Sequence, residues 1–243
     1  MKPLVFAHRG YSQRYPENTA IAFTKAFEFN ADGIECDVQK TKDGKFIIIH
    51  DESLDRTTTL KGKLSELNWD LIKTANAGQG EKILTLHALL SDYPKKSWIN
   101  IELKKETITN ADLPAIQDEI LNSLTKEKVV ISSFEHSLLP YFKKNGFKIG
   151  ALIGEEHQKL GIFHLIKSLF KLAPYSVHLP IQIFEVLPNW LAKFIFLIFI
   201  WFRKKLYFWT VDDLNLAKSL LPFASAFITN DPKSICEFLD IQK

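Results

Sequence analysis

Cysteine is scarce in this 243-residue chain, limited to Cys36 and Cys236 far apart in sequence. That is too few for a disulfide-stapled scaffold and offers no CxxC pair, which fits a reducing compartment. A strong charge of either sign is missing too. With 31 Lys and Arg against 28 Asp and Glu, the net charge is only +3, so no nucleic-acid partner is expected. The most lipophilic stretch, "FIFLIFIWF" at 194–202, has nine residues, whereas a bilayer span needs about 20. At the start, "MKPLVFAHRG" carries one lysine and a four-residue apolar run, short of the roughly 7 to 15 residues of a signal-peptide core. A cytoplasmic location is expected. Repeats, low-complexity tracts and Gly/Ser linkers are also lacking, which predicts one domain over residues 1–243.

What is present is 46% hydrophobic residues, distributed in short strand-like runs separated mostly by helical patterns. The runs are "LVFA" (4–7), "GIECDV" (33–38), "FIIIH" (46–50), "WINIEL" (98–103), "VVIS" (129–132), "IGALI" (149–153), "SVHL" (176–179), "LYFWTV" (206–211) and "AFIT" (226–229). Only "QKTKDGK" separates the second from the third. A parallel crossover needs a dozen residues or more, so this pair must be a hairpin. Asp43-Gly44 is the expected turn dipeptide, and pairing centred there sets His50 opposite Asp37. The other eight runs predict an α/β fold, a (β/α)8 TIM barrel with an extra β-hairpin strand after the second barrel strand. In the first helix, Asn18 is the expected N-cap and Ala22, Phe23, Ala26 and Phe27 form the apolar stripe.

Side chains alternate along a strand, so Glu35 and Asp37 share one face while Ile34, Cys36 and Val38 share the other. Apolar residues turned outward against helices leave the acids lining a pocket. Two surface acids on a solvated strand end are the bland alternative. Inside one pocket the acids would repel unless a cation sat between them. "NIELK" adds Glu102, with Lys104 two residues on. Three carboxylates without clustered Cys or His ligands favour a hard divalent cation, Mg²⁺ or Ca²⁺, over zinc. The first strand delivers "HRG" at its C-terminal end, where barrel enzymes build their sites. Arg9 suits a phosphate, and His8 and His50 suit acid and base work near neutral pH. His87, His136, His157, His164 and His178 show no partner spacing and read as structural.

The stretch "AHRGYSQRYPENTAIAFTKAFEFNADGIECDVQKTKDGKFIIIHDESLDRTT", residues 7–58, resembles the glycerophosphodiester phosphodiesterases in its HRG, PENT, ADxIExDV, TxDG and HDxxLxRTT motifs. Weaker echoes follow at "NIELK", "SSFE", "WTVDD" and "ITNDP". The resemblance implies a metal-dependent barrel that hydrolyses glycerophosphodiesters to glycerol 3-phosphate and an alcohol. It implies His8 and His50 as general acid and base, Arg9 and Lys104 as phosphate holders, and Glu35, Asp37 and Glu102 as metal ligands. Trp209 would pack against the substrate or simply belong to the core. Where the family commonly reads WTVN and ITD, this chain carries Asp212 and Asn230. Neither is expected to touch the metal or phosphate residues, and both would bear on alcohol-side or glycerol-side contacts.

The segment "IFEVLPNWLAKFIFLIFIWFRKK" is apolar around more of its circumference than an outer barrel helix should be. Upstream, "KLGIFHLIKSLFKLAP" sets Ile162, Phe163, Ile166, Leu169 and Phe170 on one helical face, with Lys159, Lys167 and Lys171 elsewhere. A thick core plus a homodimer interface is one reading. The other is peripheral contact with the inner membrane face through residues 159–172 and 190–205, which would admit lysophospholipids to a lysophospholipase D. A catalytically silent membrane-binding barrel would need the acid and histidine constellation to be broken, and it is intact.

Overall fold

The computed structural model describes residues 2–154, 157, 161–183 and 188–241, with the side chains of 162–164 excepted. The expectations placed on Lys159, Ile162 and Phe163 therefore lie outside the described residues or side chains. Each apolar run becomes a strand: β1 Leu4–His8, β2 Gly33–Lys40, β3 Phe46–Ile48, β4 Trp98–Leu103, β5 Val129–Ser133, β6 Lys148–Leu152, β7 Ser176–Pro180, β8 Lys205–Trp209 and β9 Ala226–Thr229. Eight of them run parallel around a closed barrel in the order β1-β9-β8-β7-β6-β5-β4-β2, and β2 pairs with β1 to close it. The remaining strand, β3, pairs antiparallel with β2.

The hairpin register differs by one residue from the expected one. Val38 stands opposite Ile48 and Lys40 opposite Phe46, and Ile49 N–H donates to the Asp37 carbonyl at 3.0 Å. Thr41 pairs with Lys45 across a three-residue loop that ends in Gly44 at φ +83°. Its left-handed third residue adds one residue to the two-residue turn expected around Asp43-Gly44. His50 leaves the sheet and is free to turn toward the barrel mouth.

Helix α1, Ala20–Glu28, is capped by Thr19, whose hydroxyl accepts from Ala22 N–H, not by Asn18. Asn18 takes the left-handed backbone at φ +59° that asparagine tolerates, which turns its side chain inward. The outward faces of β2 and α1 meet in a common core: Ile34, Cys36 and Val38 pack in one buried cluster with Phe23 and Ala26. The larger of these, Ile34, Val38 and Phe23, each contribute about 1.5–3 kcal/mol when fully buried. Inside the barrel, Phe6, Tyr207, Ala226 and Ile228 form a separate apolar layer.

Candidate active site

Parallel strands in register bring the polar residues together at the C-terminal ends of β1, β2 and β4. His8 is level with Glu35 across β1 and β2, and Asp37 is level with Glu102 across β2 and β4. Glu35, Asp37 and Glu102 are all buried, and each offers a carboxylate oxygen within 4.8 Å of the others. Burial, then repulsion from Asp37 and Glu102, pushes the Glu35 carboxyl well above its usual range. Burial likewise raises Glu102. Asp37 goes the other way: burial opposes its charge, but Lys104 and Arg9 overcome that and hold its carboxyl low.

The two cations are aimed at the same acids. Lys104 Nζ lies 2.7 Å from Glu102 and 3.4 Å from Asp37, and these neighbours raise its pKa against the opposing effect of burial. Arg9 Nε lies 3.3 Å from Asp37, and its Nη1 donates to Glu17 at 3.0 Å. The Arg9 backbone sits at φ +55°, uncommon for a side chain of this size, and its N–H donates to Glu35. Gly10 follows because a Cβ there would meet the Ala22 backbone at 2.6 Å. Local strain at Arg9 is thus held in place by the packing of α1 on β1.

The histidines flank this centre and are held differently. Asp212 accepts from the Asn230 amide at 2.7 Å, so the Asn230 carbonyl oxygen is the atom facing His8 Nδ1, at 2.8 Å. An oxygen there must accept, which places the proton on Nδ1 and leaves Nε2, 3.9 Å from Glu35, with its lone pair. Burial, reinforced by Arg9, lowers the His8 pKa to about 4. His50 Nδ1 instead meets the Asp51 carboxylate at 2.7 Å. Arg56 grips Asp51 with two nitrogens and Glu17 with two contacts, and Glu17 returns to Arg9. A continuous ion chain therefore ties His50 to the arginine beside the acids.

His8, Arg9, Glu35, His50, Glu102 and Trp209 line one cavity of about 120 Å³, shared with Phe134. Trp209 stands edge-on to Phe134 at 5.8 Å. Lys104 lines a neighbouring cavity of about 300 Å³ that shares Glu102 and Phe134 with the first. All eight residues singled out in the sequence are thus brought to one end of the barrel.

A sequence model described as the glycerophosphoryl diester phosphodiesterase family matches residues 8–152. The chain belongs to that family. A glycerophosphodiester phosphodiesterase of Caldanaerobacter subterraneus is 34% identical over 97% of both chains. The crystal structure of a glycerophosphodiester phosphodiesterase from Thermotoga maritima is 31% identical, with a TM-score of 0.83 over 98% of both chains. A phosphodiesterase of Oleispira antarctica, in complex with its product sn-glycerol-3-phosphate, has the same fold at 24% identity, with a TM-score of 0.83 over 98% of this chain and 97% of that one. As a member of the glycerophosphodiester phosphodiesterase family, the chain is a phosphoric diester hydrolase.

The acid triad fits a divalent cation on its own chemistry. Glu35 Oε1 is buried without a hydrogen-bond partner among the described residues, while its carboxyl is under pressure from two neighbouring acids. A hard cation relieves both conditions.

Several members of the site escaped the sequence reading. Asn18 donates to Asp37 at 2.9 Å, and Asp51, Arg56 and Glu17 form the chain behind His50. The motif HDxxLxRTT contains Asp51 and Arg56, so their signal was available in a fixed spacing. Asn230 and Asp212, expected to bear on alcohol-side or glycerol-side contacts, also bond to each other, and Asn230 orients His8. Nothing local predicts that contact, because Asn230 lies 222 positions from His8.

Proposed function

We propose that the enzyme cleaves glycerophosphodiesters to glycerol 3-phosphate and an alcohol at the cavity between His8 and His50, with a divalent cation held by Glu35, Asp37 and Glu102. The observation that carries this reading is the buried triad with an orphan Glu35 oxygen, set beside Arg9 and Lys104. Such a cation, Mg²⁺ or Ca²⁺, supplies charge neutralisation at the phosphoryl oxygens when bound. The product held by the Oleispira relative supports a glycerol-phosphate half of the substrate.

Arg9 and Lys104 orient the phosphoryl group and offset its charge. His8 is held neutral, with Nε2 open, and takes the proton from the attacking oxygen. His50, oriented through Nδ1 by the Asp51 carboxylate, protonates the departing alcohol from its other nitrogen as the phosphorus–oxygen bond breaks. Trp209 walls the cavity against water from the β8 side.

A second reading, lysophospholipase D activity, is favoured by the exposed apolar helix described below. One assay separates the two: release of glycerol 3-phosphate from glycerophosphocholine, and of phosphatidic product from lysophosphatidylcholine, with Mg²⁺, Ca²⁺ or EDTA. EDTA-sensitive turnover of the soluble diester is expected. Turnover of the lysolipid alone would replace the first reading by the second, and turnover that survives EDTA would remove the metal from the proposal.

A further inference from the structure

The helix Asn189–Trp201 connects β7 to β8 along the outside of the barrel. Ala192, Ile195, Phe196 and Phe199 bury its inner face. Its outer face should be polar, yet Trp190, Phe194, Leu197 and Trp201 stand there at 71, 56, 54 and 84% exposure. These four residues recur at intervals of four, three and four, which is one continuous stripe along a helix. Phe202 extends it at the helix end, packed edge-on to Phe170 of the neighbouring helix Ile162–Leu172.

The charge around this stripe has one sign. Between Gly161 and Val211 the sequence contains six basic residues and a single acid, Glu185, which lies outside the described residues. Arg203, Lys204 and Lys205 follow the stripe directly, and Lys171 closes the neighbouring helix. Lys204 Nζ donates to the Pro174 carbonyl and Lys143 Nζ to the Leu172 carbonyl. Their ammonium groups are thus anchored on main-chain oxygens, and among the described residues none of these basic groups pairs with a carboxylate. Two lysines held close enough to lower the Lys204 pKa, after burial has done so, keep a concentrated positive field at the end of the stripe.

We propose that this stripe, with the basic turn at 203–205, docks the enzyme on an anionic lipid surface. The chemistry matches both halves of such a surface: tryptophans and phenylalanines suit the headgroup and acyl boundary, and fixed cations suit anionic headgroups. A second copy of the chain would present the same uncompensated positive charge to itself, which argues against a self-paired interface. No helix among the described residues is long and apolar enough to cross a membrane, so the helix lies on the surface.

The test is co-sedimentation of the full chain with vesicles of phosphatidylcholine alone, and of phosphatidylcholine with phosphatidylglycerol, at physiological and at high salt. Binding to the anionic vesicles that is lost in high salt and at least about ten-fold weaker on neutral vesicles is expected. Arg203→Gln with Lys205→Gln should weaken it by on the order of 30-fold, from about five-fold per lost charge. Trp190→Ser with Phe194→Ser should weaken it while leaving the charge intact. Both variants should keep the thermal midpoint and the hydrolysis of soluble diester, since these residues lie outside the cavity. Equal binding to neutral vesicles, or no binding to anionic ones, overturns the proposal. So does a dimer in solution that the Trp190 and Phe194 variant dissociates.

Discussion

The barrel divides into two sectors built on the same strand and helix plan but filled in opposite ways. From β1 to β4, the interior above Phe6 is polar and the outer side apolar: His8, Glu35, Asp37, Asn100 and Glu102 face the interior, while Ile34, Cys36, Ile99 and Ile101 pack against helices. From β6 to β9, the interior holds Leu152, Tyr207, Trp209 and Ile228, and the outer helix Asn189–Trp201 is apolar on both sides. The contrast shows that closing a barrel requires only strands in register. Chemistry can then be concentrated in one sector while another is adapted to a surface. The family model ends at residue 152, the last residue of β6, and so covers the first sector and only one strand of the second.

The sharpest way to break this comparison is to remove the two histidines proposed as acid and base in the first sector. His8→Ala and His50→Ala should each lower turnover by about 10² to 10⁴ with the thermal midpoint retained. Near-normal turnover in either variant would show that the sector's polar interior is structural. Within the second sector, Phe196→Ala and Phe194→Ala separate the two faces of one helix. Phe196 is wholly buried, edge-on to Phe208 at 5.1 Å, and its loss should cost about 3–5 kcal/mol in denaturant unfolding. Phe194 is 56% exposed, and its loss should stay within about 0.5 kcal/mol. Equal costs would mean that the outer face is covered.

How far the sequence could be read depended on how local the determining contact is. Strand positions were legible because alternation and turn dipeptides act over a few residues, and the inward acids of β2 follow from the two-residue period alone. The hairpin register was not, because Gly44 can close a two-residue or a three-residue loop, and the choice shifts His50 by one place. Asn18 was misread as a cap for a related reason: Thr19 beside it can cap equally well, and only the packed barrel shows that Asn18 is needed at Asp37. The pairing of Asn230 with His8 joins the first and last strands and exists only once the barrel is closed.

A pH-dependent effect concerns a histidine that the second sector uses for packing. His178 is completely buried inside the barrel, stacked on Tyr207 at 4.8 Å and bonded to Ser176. A Cβ on Gly150 would meet its ring at 2.4 Å, so the ring has no room to leave for water. Burial lowers its pKa to about 3 from an ordinary 6.5. Between those values the unfolded chain binds a proton that the folded chain does not, so stability must fall as pH falls from 6.5 toward 3. Down to pH 5 the loss is about 2 kcal/mol, at 1.36 kcal/mol per unit. His8, held near 4, works in the same direction from the first sector. Denaturant midpoints measured from pH 7 to 5 should therefore drop in the parent protein and drop less in His178→Asn, which has no proton to gain. An unchanged slope in that variant would assign the acid sensitivity to the first sector alone, and the two interiors would then differ in proton coupling as well as in polarity.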